Sequence, residues 1–238
     1  MDRNVPGRGE IQAIQGRWQQ EIDELATRLV PFGLTLTETQ TQRLCRYCLE
    51  VYMWRERCGL LSRGDVESIV RKHVAASLGV LLLVTPDLRA RWIDIGTGAG
   101  LPGFILKIWE PSQEIVLVEG SRKKGVFLQH LARTLDLGNV EIHTARVETL
   151  IARGTFTDRF DVLLTRAVAD LKTTLRIFGA VLLPGGRIVT FKGLSWKEDV
   201  RDAVQDGILL AGRYQLEQVV RVPWAQAHLL SLRKETTE

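Results

Sequence analysis

In this 238-residue chain, the residues whose types and spacing suit chemistry gather in one stretch, Asp94-Ile95-Gly96-Thr97-Gly98-Ala99-Gly100-Leu101-Pro102-Gly103, with a second acid at Glu119. A strand, a glycine-rich turn and a helix in that order hold a nucleotide at the carboxyl end of a sheet, because glycines let backbone approach the ligand and the helix start offers N–H groups. Two cofactors compete for such a turn. Gly98 to Gly103 spells G-x-G-x-x-G, a dinucleotide fingerprint. Three features favour S-adenosylmethionine instead. Asp94 would repel a pyrophosphate but suits a cationic methionine ammonium. Pro102 removes an N–H at the helix start, a donor that a phosphate uses and a phosphate-free ligand does not need. Gly96 extends the pattern upstream to Asp-x-Gly-x-Gly-x-Gly. Glu119 ends the next strand about twenty residues on, where an acid accepts hydrogen bonds from both ribose hydroxyls, a placement that serves either cofactor.

The elements that position these residues follow from the apolar periodicity. Short apolar runs predict strands over 91–95, 114–119, 140–144, 160–165, 186–191, 214–222 and 228–232. Helical patterns lie between them over 101–109, 122–135, 171–183 and 195–212. The first five strands read as parallel and the last two as an antiparallel pair at one edge. Upstream, Trp18, Ile22, Leu25 and Leu29 form one stripe of a helix over 17–30. Thr37 is an N-cap for a second helix through Leu44, Cys48, Val51 and Tyr52, and a third over 63–83 ends before Pro86. The expected fold class is α/β: a Rossmann-like seven-stranded sheet of the methyltransferase type, mostly parallel with an antiparallel edge pair, preceded by a helical N-terminal region. The expected division is a flexible tail over 1–16, the helical region over 17–88 and the cofactor-binding domain over 89–238.

Composition narrows the setting. The chain is 45% hydrophobic and 25% charged with a formal net charge of +4, which permits an acidic partner without demanding one. The longest apolar run, 78–84, is too short to span a bilayer, and residues 1–9 lack the apolar centre of a signal peptide, so a cytoplasmic protein without a membrane partner is expected. Cys45, Cys48 and Cys58 are then reduced thiols. With His73 they number enough to ligate zinc, but the spacing matches no standard finger and the Cys-x-x-Cys pair precedes the sheet, so no metal is expected.

Beyond the turn, the sequence resembles the bacterial small-subunit ribosomal RNA guanine-N7 methyltransferase family, RsmG, also called GidB. The resemblance centres on the stretch from Asp94 to Gly103. It extends through Arg71-Lys72-His73, Ser121-Arg122-Lys123-Lys124, Arg146-Val147-Glu148, Thr165-Arg166-Ala167 and Phe191-Lys192-Gly193, covering about residues 35–232. It implies that Gly96 and Leu101 line the cofactor, beside Asp94, Gly98 and Gly100 of the same turn, that Glu119 holds its ribose, and that Val147 and Glu148 flank the adenine. It places Arg166 at the active-site mouth, against cofactor or RNA, as the catalytic candidate. The implied partner is 16S ribosomal RNA or the small ribosomal subunit, engaged by a monomer. RNA is held by its phosphates, and Arg122, Lys123, Lys124 and Lys192, with Lys172 and Lys197, sit at strand ends that share one sheet edge. Guanine N7 carries a lone pair and no proton at neutral pH, so no essential general base is expected. Competing readings are a small-molecule methyltransferase with an apolar pocket under the N-terminal helices, an NAD-dependent oxidoreductase and a non-catalytic RNA-binding module.

Overall fold

The computed structural model describes residues 7–209 and 213–236. Its centre is a seven-stranded sheet: β1 (Trp92–Ile95), β2 (Ile115–Val118), β3 (Val140–His143), β4 (Phe160–Arg166), β5 (Leu182–Lys192), β6 (Tyr214–Arg221) and β7 (His228–Lys234). The spatial order is β3-β2-β1-β4-β5-β7-β6. The β1–β2, β1–β4, β2–β3 and β4–β5 pairs are parallel, and β7 runs antiparallel between β5 and β6. All seven strands overlap the expected apolar runs, β5 starting four residues early at Leu182, and the strand order reverses between β1 and β4, the topological switch point where open α/β sheets bind ligands.

Helices α1 (Arg8–Leu29), α2 (Glu38–Cys58), α3 (Arg63–Glu67) and α4 (Ala75–Leu78) precede the sheet, and α5 (Gly103–Trp109), α6 (Arg122–Thr134), α7 (Val147–Ala152), α8 (Leu171–Arg176) and α9 (Trp196–Gln205) connect its strands. Thr37 caps α2 in a reciprocal box: its hydroxyl accepts from the Gln40 N–H and the Gln40 side chain accepts from the Thr37 N–H. One apolar cluster joins Trp18, Leu44, Tyr47, Val51 and Val74 to Phe104, Ile105, Phe127 and Leu128 of α5 and α6. The N-terminal helices are therefore a second layer continuous with one face of the sheet. A second cluster under α7, α8 and α9 covers the other face.

Several boundaries differ from expectation. Helix α1 starts at Arg8 rather than residue 17, so the tail expected over 1–16 is helical from there on, while residues 1–6 lie outside the described residues. Residues 8–16 bury little, which is why the apolar stripe missed them. The helix expected over 63–83 is broken into α3, a π-helical turn at Val70–Val74, α4 and a 3₁₀ turn at Gly79–Leu82. The helix expected over 171–183 stops at Arg176; a 3₁₀ turn over Phe178–Val181 follows, and Leu182 already belongs to β5. Of the helix expected over 195–212, Trp196–Gln205 is helical, and residues 210–212 lie outside the described residues. Helix α7 was not anticipated, being too short to show a period.

Candidate cofactor and RNA site

Strand β1 delivers Asp94, fully buried, to the base of the glycine turn. Its Oδ2 accepts from the Thr97 hydroxyl at 2.6 Å and from the Gly103 N–H at 2.8 Å. Its Oδ1 is buried with no partner among the described residues. Burial pushes this carboxyl up to about 7; the two hydrogen bonds oppose that rise, nearby Glu119 adds to it, and the Arg166 guanidinium opposes it. The turn itself runs through Gly96, Gly98 and Gly100 at φ of 70°, 59° and 86°, all in the left-handed region. At Gly96 a side chain is excluded for a second reason: a Cβ there would collide with Val168.

Glu119 closes the other side of the turn. Its Oε2 accepts from the Gly98 N–H at 2.9 Å and its Oε1 from the Ser121 N–H at 2.8 Å. Each carboxylate oxygen keeps a further lone pair for a ribose hydroxyl. The sequence places these two acids near the turn but does not show that they hold it shut. The expectation that the start of α5 offers free N–H groups is corrected at Gly103, whose N–H is taken by Asp94, while the Phe104 N–H goes to the Gly100 carbonyl. A pyrophosphate would meet an acid where it needs donors. An ammonium would compensate the buried, unpartnered Oδ1 of Asp94, so the residues present fit a phosphate-free, cationic nucleoside.

Strand β4 ends at Arg166, in register with β1 and β5. Its Nη2 donates to His73 Nδ1 at 2.6 Å, its guanidinium lies 5.3 Å from the Phe191 ring centre, and its Nη1 is buried without a partner among the described residues. His73, carried by the π-helical turn, is held down at about 4, chiefly by burial and then by Arg166, so it stays neutral and accepts from the guanidinium at neutral pH. Tyr47 is a residue that sequence reasoning missed. It is fully buried on α2, and its hydroxyl donates to the Ala99 carbonyl at 3.0 Å, which ties the helical layer to the glycine turn. Apolar spacing signals such a residue's burial, not the partner of its hydroxyl.

The remaining expected residues lie on the same carboxyl edge. Leu101 is buried in the turn; Val147, buried, and Glu148, exposed, open α7 beyond β3. Arg122, Lys123 and Lys124 form the first turn of α6, which has no acid there to offset them. Cations at a helix start oppose its dipole, a cost that an anionic partner would remove. Lys192 is nearly buried and paired with Asp199 at 3.4 Å, and Lys172 is paired with Asp206 at 3.0 Å, so these two do not stand free on the edge. Lys197 lies over the Trp196 ring. A cavity of about 1100 Å³ adjoins Arg166 under the N-terminal helices, lined by Arg28, Arg71, Lys72 and Arg221. Among the described residues no three His, Cys, Asp or Glu gather to hold a metal, and no helix is long and apolar enough to cross a membrane. Cys48 is fully buried and Cys45 is pushed up to about 11 by burial, so neither is a ready thiolate.

A family model described as GidB, rRNA small subunit methyltransferase G, matches residues 40–223. Ribosomal RNA small subunit methyltransferase G of Roseiflexus castenholzii is 35% identical over 88% of this chain and 89% of its own length. Its counterpart from Desulfotalea psychrophila is 36% identical over 83% and 89%. Among solved structures, a SAM-dependent methyltransferase from Aquifex aeolicus superposes with a TM-score of 0.52 at 15% identity, over 70% of this chain and 93% of that one. A chain of the fibrillarin/Nop5p complex superposes at 0.53 and 14% identity, over 68% and 81%. At those identities the structures speak for the fold.

Proposed function

Because the chain belongs to the GidB family, rRNA small subunit methyltransferase G, we propose that it transfers a methyl group from S-adenosylmethionine to N7 of a guanine in 16S ribosomal RNA. One observation carries this reading beyond family membership: Arg166, close enough to act electrostatically on the buried Asp94 below the glycine turn, also lines a cavity that holds three further arginines and a lysine and no acid. A small-molecule methyltransferase has no use for four arginines and a lysine beside Val222, Pro223, Trp224 and Ala225 in one cavity, and a dinucleotide enzyme would present free donors at the start of α5.

When bound, S-adenosylmethionine supplies a methyl group activated on a sulfonium. The buried, unpartnered Oδ1 of Asp94 would face the ammonium of the amino acid portion. Glu119 accepts from the ribose, Val147 and Glu148 flank the adenine, and Gly96, Gly98, Gly100 and Leu101 supply the close backbone wall. Since guanine N7 has an in-plane lone pair and no proton to lose, the chain contributes position rather than proton transfer. Arg166, steered by neutral His73, holds the RNA or cofactor at the mouth through its free Nη1.

Incubating the protein with labelled cofactor and either 30S particles or naked 16S RNA should give labelled 7-methylguanine; its absence from both would refute the substrate. Arg166→Ala should keep S-adenosylhomocysteine affinity within about threefold while turnover falls on the order of 100-fold, the scale of a lost positioning contact. Calorimetry and single-turnover methylation measure the two separately, and equal turnover would remove the role given to Arg166.

A further inference from the structure

We infer that the cavity between the N-terminal helices and the β6–β7 turn is the docking groove for the RNA backbone next to the target nucleotide, with Arg28 and Arg221 as its phosphate ligands. The inference rests on the proposed function and adds the surface by which the RNA is held.

Topology puts the groove at the reaction edge. Arg166 is in register with Phe191 of β5, Phe191 with Leu229 of β7, and Leu229 with Val220, the neighbour of Arg221 on β6. Arg221 and Arg166 thus stand on one edge of the sheet, three strand spacings or about 14 Å apart. The groove's lining holds four arginines and a lysine and no acid. The acids closest to these cations are spoken for: Arg71 lies 3.4 Å from the buried Glu21 and Lys72 lies 3.2 Å from Asp65. Arg28 and Arg221, both exposed, have no carboxylate partner among the described residues.

The walls are fixed before any ligand arrives. Trp224 in the β6–β7 turn donates from Nε1 to the Ala75 carbonyl at 2.8 Å and meets the Phe32 ring edge-on at 4.9 Å, while Arg28 reaches the Pro223 carbonyl at 3.3 Å. Arginine's planar fork matches phosphate oxygens two at a time, so an arginine-rich wall suits successive phosphodiesters better than one compact anion. Arg166 lines the groove and acts electrostatically on Asp94 below the glycine turn, so a strand lying in the groove would hold a neighbouring base on the cofactor's side of the sheet.

The test compares Arg28→Gln/Arg221→Gln with Arg133→Gln/Arg153→Gln, which removes the same charge from exposed residues where α6 and α7 lead back to the amino edge of the sheet. The groove pair should raise the KM for 16S RNA about tenfold per arginine and lower the slope of log affinity against log salt by roughly 1.4, with S-adenosylhomocysteine binding unchanged. The edge pair should leave KM and slope near wild type. Equal KM and slope in the two pairs, with wild-type RNA methylation intact, would overturn the groove alone. Wild-type protein that leaves RNA unmethylated would bring down the substrate reading and the groove with it.

Discussion

S-adenosylhomocysteine should bind about fivefold more weakly at pH 6 than at pH 7 and about tenfold more weakly again at pH 5, and Asp94→Asn should abolish that dependence along with most of the affinity. Asp94 is fully buried and its carboxyl is pushed up to about 7, so at neutral pH it stands at its own midpoint. An ammonium prefers the ionised form, so below that midpoint each binding event must first expel a proton. The stability of the unliganded protein runs in the opposite sense. The folded carboxyl binds its proton more tightly than the unfolded one, at its ordinary 3.8, so between about 4 and 7 the native state carries a proton that the unfolded chain has lost. Stability contributed by this group is therefore greatest at low pH, falls by as much as about 4 kcal/mol as pH rises to 7, and is level above. Asparagine keeps an acceptor for Thr97 and the Gly103 N–H but cannot ionise, so the variant should lose this slope as well. Calorimetry between pH 5 and 8 in buffers of different ionisation enthalpy reads both the affinity and the proton released. A flat wild-type affinity would show that the Asp94 charge does not meet the ligand.

The glycine turn was legible from sequence because its requirements are local: β1, the left-handed glycines and Glu119 at the end of β2 are fixed by neighbours a few residues away or one strand over. Strand positions were legible for the same reason. The placing of β7 between β5 and β6 was not, because both orders satisfy the same alternation of apolar residues. The basic track was only half legible. Arg122, Lys123 and Lys124 are contiguous and have no acidic partner among the described residues, but Lys172 and Lys192 are paired with Asp206 and Asp199 of a helical segment that their own position does not reveal. The groove cations were invisible, since Arg28 meets the β6–β7 turn across 195 positions. No periodicity encodes such a meeting. It follows from α1 packing on the same face of the sheet that the edge hairpin closes. The Arg166–His73 pair was half seen: both residues belong to recognisable motifs, but only the π-helical turn that brings His73 to the end of β4 makes them one unit.

Gly96→Val should bind S-adenosylhomocysteine at least 100-fold more weakly, and the reason can be divided by a cycle of smaller substitutions. Two effects act at this position. An L-residue at φ 70° costs about 1–2 kcal/mol whatever surrounds it, and a Cβ collides with Val168, a clash on the overpacking scale of about 1–3 kcal/mol. Gly96→Ala carries both effects. Gly96→Ala/Val168→Ala carries the first and only a remnant of the second, a contact of 3.1 Å with the remaining Cβ of residue 168, and truncating Val168, 42% exposed, should by itself cost under about 1 kcal/mol. Chemical denaturation of the four proteins should therefore show the double variant more stable than Gly96→Ala, a coupling of about 1 kcal/mol or more. The clash also has a direction. Val168 follows Ala167, which is itself held at φ 53°, and Ala167 follows Arg166, so a side chain at Gly96 pushes on the segment that aims the guanidinium. Gly96→Ala should thus lose turnover beyond what its weaker cofactor binding explains, and truncating Val168 should restore that part while the affinity loss from the strained turn remains. If turnover at saturating cofactor is the same in Gly96→Ala and wild type, the push does not reach Arg166, and Gly96 serves the cofactor wall alone.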